Sequence, residues 1–180
     1  MKRILFAALA LLIATPAAAQ LSKTEARIAA AVDKDRDRTV AFLERMVNQN
    51  SGSLNLPGVD AVAAMVRPEF EALGFEVRYV DMRATGRAGH IIATHRGNGK
   101  GKRILLIGHL DTVFEPSSPF QKFERNGDRA TGPGVIDDKG GIAVIVMALR
   151  AMQEAGTLKD ADIVVILTGD EERTGAPMDV

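Results

Sequence analysis

Two short segments are apolar at every position: Ile104-Leu105-Leu106-Ile107 and Ile163-Val164-Val165-Ile166-Leu167. A strand with one wet face alternates apolar and polar residues. An unbroken apolar run therefore signals a central, parallel strand buried on both faces. Between the two runs, Gly141 to Met152 is apolar nearly all round and reads as a buried crossover helix ending before Gly156. Strand, helix and strand in this order predict an α/β sandwich.

The chain before this unit predicts two helices and two strands. Ser22 to Val47 has apolar residues at helical spacing (Ala26, Ala29, Val32, then Val40, Leu43, Val47), with a break expected in the middle. The run Asp33 to Arg38 reads as a solvated face with Asp33 paired to Arg36 and Asp35 to Arg38. Asn48 to Gly58 is a polar turn region. Asp60 to Leu73 predicts a second amphipathic helix closed by Gly74, with Pro68 kinking it or starting a new turn. Phe75 to Met82 alternates as a strand does. His90 to His95 is another short strand, followed by a hairpin-like loop over Gly97 to Gly101.

Composition removes several functional classes. The 180 residues carry 23 basic and 23 acidic side chains, no cysteine, no tryptophan and one tyrosine. The balanced charge gives no electrostatic reason to expect nucleic acid. Without cysteine there is no disulfide scaffold, no thiolate metal site and no cysteine nucleophile. At the N-terminus, Lys2 and Arg3 precede the apolar run Ile4 to Ile13, then Thr15-Pro16 and Ala17-Ala18-Ala19. This pattern predicts a secretory signal over residues 1–19 rather than a stable membrane anchor, since a span needs about 20 apolar residues. The expected location is secreted or periplasmic. Cleavage would remove two of the 23 basic residues, leaving 21 against 23 acidic.

In open α/β sheets, ligands gather beyond the carboxyl ends of the strands. Gly108-His109-Leu110-Asp111-Thr112-Val113 follows the first apolar run, and Thr168-Gly169-Asp170-Glu171-Glu172 the second. Gly132-Pro133-Gly134-Val135-Ile136-Asp137-Asp138-Lys139-Gly140-Gly141 leads into the crossover helix. Each segment alone has a plain structural reading. His109 serves as a hydrogen-bonded histidine, Asp137 as a helix cap, and Asp170 to Glu172 as a solvated acidic loop. Their placement at one end of one sheet favours a metal site. Imidazole and carboxylates without thiolate suit zinc, cobalt or manganese.

These three motifs, in this order and spacing, resemble the co-catalytic di-zinc peptidases of the aminoacylase, glutamate carboxypeptidase and succinyl-diaminopimelate desuccinylase family. The resemblance covers roughly Phe42 to Val180 and lies closest to the glutamate carboxypeptidase branch. It implies a zinc-exopeptidase-like α/β fold with a mixed sheet sandwiched by helices. It implies that His109 is a terminal ligand of one zinc, with Asp111 orienting it. Asp137 would bridge two Zn2+ ions, Glu172 would bind the second, and Glu171 would be the general base. A cis peptide at Asp137–Asp138 is expected. Lys139 and Asp170 are expected to be structural, as are His90 and His95.

The implied reaction is hydrolysis of a peptide or N-acyl amino-acid amide near a free carboxylate. A deacylase with the same machinery is the alternative, and a non-catalytic binding protein of the same fold is the third reading. The resemblance further implies that residues 20–180 are the N-terminal part of the catalytic domain. A later acidic ligand, a late histidine and a dimerisation domain are expected beyond this sequence, giving a homodimer at full length.

Overall fold

Ser22 opens the first helix with its hydroxyl accepting from the Glu25 amide, while the Glu25 carboxylate accepts from the Ser22 amide. This reciprocal cap satisfies donors that a helix start otherwise leaves open. The computed structural model describes residues 20–173. The expected signal at 1–19 lies outside the described residues, as do residues 174–180. Helix α1 runs Lys23–Asn48 without the expected break. Helix α2 spans Leu56–Glu71, starting earlier than predicted because Asn55 caps it by accepting from the Gly58 amide at 3.3 Å. It continues through Pro68.

Strands β1 (Glu76–Val80), β2 (His90–His95) and β3 (Arg103–His109) follow, then a small hairpin of β4 (Glu124–Asn126) and β5 (Arg129–Thr131). Helix α3 spans Lys139–Glu154 and strand β6 Asp162–Thr168. The main sheet has the order β1-β2-β6-β3. β3 and β6 are parallel and joined by the α3 crossover, whereas β1–β2 and β2–β6 are antiparallel. The α/β class, the mixed sheet and the crossover are as expected. The loop after β2 is not a hairpin, because β6 inserts between β2 and β3.

The three helices share one apolar cluster with Ile91 and Ala93 of β2 and Ile163, Val165 and Leu167 of β6. Those strand residues alternate, so the helices cover one face of the sheet. The other face carries Ile92, Leu105, Ile107, Val164 and Ile166, and no helix lies on it among the described residues. Among the described residues β3 is the edge strand, with Ile104 47%, Leu105 53% and Ile107 67% exposed. The expectation of burial on both faces therefore fails for β3 within these residues, and is met on only one face of β6, whose Val164 and Ile166 are half-buried. An apolar run reports that a face needs cover, not that the neighbouring sequence provides it.

The charge run in α1 is only half solvated. Asp33 pairs with Arg36 at 3.6 Å as predicted. Asp35 instead takes Arg150 of α3 at 2.9 Å, and Arg38 takes Glu69 of α2 at 3.4 Å. Arg150 also reaches Glu69 at 2.5 Å, so one guanidinium ties the three helices together. A planar fork with two carboxylates in reach exceeds what a local helix pair offers. No helix among the described residues is long and apolar enough to cross a membrane.

Candidate metal centre

Parallel pairing sets the site. His109 ends β3 directly beside Thr168 at the end of β6, and the Leu110 amide donates to the Thr168 carbonyl at 2.7 Å. The loops after both strands thus leave the sheet side by side. Asp138 precedes α3 at the same end, and its carboxylate accepts from the His109 amide at 3.1 Å. Gly108 and Gly141 flank that carboxylate, and a side chain at either would collide with it. Asp138, not Asp137, is the N-cap residue of α3, and its side chain makes no capping bond. Asp137 is therefore left outside the helix, facing His109. The Asp137–Asp138 peptide is cis, as the resemblance implies.

The imidazole of His109 is held from both sides. Its Nδ1 lies 3.2 Å from the Asp111 carbonyl oxygen and 3.3 Å from Asp111 Oδ1. Its Nε2 lies 2.9 Å from Asp137 Oδ1. One ligand atom each of His109, Asp137 and Glu172 lie within 4.8 Å of one another. One imidazole nitrogen and two carboxylates fit a borderline divalent cation such as zinc. Three donors are fewer than two four-coordinate ions need, so a di-metal site requires ligands beyond these.

Asp111 is fully buried behind His109. It accepts from the Ser53 hydroxyl at 2.6 Å, the Glu171 amide at 3.0 Å and the Glu172 amide at 3.1 Å. One carboxylate therefore orients the histidine and fixes the backbone of the glutamate loop. Ser53 reaches it because the chain after α1 runs beside the motif. The Thr112 amide donates to the Ser51 carbonyl at 2.9 Å, and the Ser53 amide to the Thr112 carbonyl at 3.2 Å. Ser53 was invisible in the sequence, where it is one small polar residue in a turn.

Glu171 is exposed, next to the cluster but outside the three that converge. Asp170 is paired with Arg87 from the β1–β2 connection. The Gly169 amide donates to His90 Nδ1 at 3.1 Å. His95 Nδ1 sits 2.9 Å from the Ala161 carbonyl, with its ring against Phe75. Neither His90 nor His95 enters the cluster. Lys139 is fully buried, and its ammonium donates to the Gln49 carbonyl at 2.9 Å, tying α3 to the end of α1.

The electrostatics follow the geometry. Burial lowers the His109 pKa, but the Asp111 and Asp137 carboxylates outweigh it and raise it to about 9. Burial works to raise Asp111, and the hydrogen bonds from His109, Ser53 and the two amides reverse this, holding it below the usual carboxylate value. Glu172 is raised, first by burial and then by the charge of Asp137. Burial also raises Asp138 and takes Lys139 down to about 8. Glu172 and Asp138, both raised, crowd the same end of the sheet as His109, an electrostatic setting that a bound cation relieves.

Residues 105–178 match the family described as Peptidase family M20/M25/M40. Carboxypeptidase G2 of Pseudomonas sp. (strain RS-16) is 33% identical over 147 residues, which is 79% of this chain and 34% of that protein. The succinyl-diaminopimelate desuccinylase of Novosphingobium aromaticivorans is 34% identical over 140 residues, 74% of this chain and 35% of that enzyme. The chain spans about a third of the length of these curated relatives. Human carnosine dipeptidase 1 superposes with a TM-score of 0.73 at 20% identity, over 88% of this chain and 37% of that one. An M20 family metallo-carboxypeptidase from Sulfolobus solfataricus gives 0.63 at 22% identity, over 76% and 31%. Both structural likenesses concern the fold.

Proposed function

The chain belongs to peptidase family M20/M25/M40, and from that premise we propose that it supplies part of the catalytic domain of an exported, zinc-dependent amide hydrolase. The observation that carries this reading is the convergence of His109, Asp137 and Glu172 within 4.8 Å. In it, His109, Asp137 and Glu172 would hold zinc. Bound zinc supplies a water of lowered pKa and polarises the amide carbonyl. Asp111 keeps Nδ1 of His109 engaged, so Nε2 faces the cluster. Glu171 takes a proton from the attacking water and returns it to the leaving amine. Its main chain is already fixed by Asp111.

The substrate in this reading is a small peptide or an N-acyl amino acid with a free carboxylate near the scissile bond. A deacylase acting on N-succinyl amino acids is the second reading, favoured by the desuccinylase among the relatives. The whole protein works as a homodimer in the periplasm or outside the cell, after residues 1–19 are removed. Mass spectrometry of the mature protein should then find Gln20 as its first residue.

The deciding experiment is Glu171→Gln in the full-length protein. Hydrolysis should fall by at least about 100-fold, as for a lost general base, while the zinc content stays the same. Retained hydrolysis, or a protein that takes up no metal, would refute the enzyme reading.

A further inference from the structure

Beside the cluster lies an open groove of about 420 Å³. Asp137 and Glu172 belong both to its wall and to the converging set, so the groove is continuous with the reacting centre. The remaining wall is largely apolar, with Val113, Phe114, Phe120 and Ile136 the bulky members. Among the described residues, no lysine, arginine or histidine lines it. Ile136 is 90% exposed and immediately precedes Asp137, and Val113 and Phe120 are also exposed. Bulky apolar groups left in water around a polar centre mark a binding surface.

The wall is preformed. Phe114 and Phe120 meet edge to face at 5.0 Å between ring centres. The Asn50 amide group donates to the Phe114 carbonyl and to Gln121 Oε1, each at 2.8 Å. The Gln121 amide group donates back to the Glu115 and Ser118 carbonyls, both at 2.9 Å. The loop carrying Val113 to Phe120 is thus tied to the end of α1 before any ligand arrives. A site ordered in advance loses less freedom on binding.

We propose that this groove takes an apolar or aromatic group flanking the scissile amide. The proposal rests on the amide-hydrolase reading above and adds the chemical class of the group bound. Asp137 and Glu172 are committed to zinc in that reading, and the rest of the described wall offers an anionic group no cationic side chain, while its apolar side favours a ring or branched chain. An N-succinyl group, which ends in a carboxylate, is a poor fit here.

The test uses the zinc-loaded, full-length protein and matched amides that differ only in the flanking group: phenylacetyl, acetyl and succinyl. KM for the phenylacetyl amide should be about tenfold below that for the succinyl amide. Ile136→Lys, assayed at saturating zinc, should raise the phenylacetyl KM about tenfold and improve the succinyl amide. Phe120→Ser should raise only the phenylacetyl KM. A preference for succinyl, or variants that shift all three amides alike, overturns the proposal. Variants that change the melting point or oligomeric state but not KM assign the groove to a protein contact and also overturn it. If no amide is cleaved, the hydrolase reading fails, and calorimetric affinities for the same amides still decide the groove. Tighter phenylacetyl binding that Ile136→Lys abolishes then sustains it, and equal affinities overturn it.

Discussion

Asp111 and Asp137 touch opposite nitrogens of one histidine, yet they live in different surroundings. Asp111 is fully buried, and both its oxygens are occupied by Ser53, two loop amides and His109. Asp137 is exposed, with a side-chain accessibility of 75% and one contact, His109 Nε2. The contrast separates architecture from capacity. A carboxylate whose lone pairs are all taken holds the frame and cannot serve as a ligand. A carboxylate with vacant lone pairs, aimed at the same imidazole, can.

The largest effect expected from this contrast is on folding. Asp111→Ala leaves the Ser53 hydroxyl and the Glu171 and Glu172 amides without their acceptor. At about 1–3 kcal/mol for each orphaned buried group, the loss should be several kcal/mol in denaturant unfolding. Asp137→Ala should leave the unfolding midpoint in place. Equal destabilisation by the two changes would erase the distinction.

Ser53→Ala probes the same hub more gently. It should cost about 1–2 kcal/mol of stability and weaken zinc binding roughly 10-fold, as loss of a group supporting a ligand does. Ser53→Thr should restore both. A variant that loses stability but keeps full zinc affinity would show that Ser53 supports the fold alone.

The smallest effect concerns a third carboxylate with intermediate surroundings. Asp60 of α2 accepts from the Tyr79 hydroxyl and from Arg83. Burial, then the hydrogen bond to Asp60, pushes the Tyr79 pKa up to about 12. Tyr79 is the chain's one tyrosine and there is no tryptophan, so tyrosinate absorbance reads this group alone. The folded protein keeps a proton that the unfolded chain releases near pH 10. Its contribution to stability is therefore complete below about pH 10 and is lost as pH rises towards 12. Asp60→Asn should bring the titration closer to the ordinary value; an unmoved titration would deny Asp60 its part.

The features readable in the sequence were those encoded locally. The apolar run of β6, the crossover helix and the residues at the strand ends announce themselves through pattern and position. The pairings that cross the chain did not. Asp35 chooses Arg150 over Arg38, three residues away, because tertiary packing offers a better-placed partner. Ser53 meets Asp111 only because the chain after α1 folds back along the motif. For β3, the apolar pattern was legible, but its place outside β6, with no further strand beside it among the described residues, depends on strand order, which no local signal carries.

Zinc titration under chelator competition, comparing the metal-free wild-type protein with Asp137→Asn, tests the central claim most directly. Tight binding by the wild type should fall at least about 100-fold in the variant while its unfolding midpoint stays put. Equal zinc affinity in the two proteins would show that the exposed carboxylate beside His109 is not a ligand.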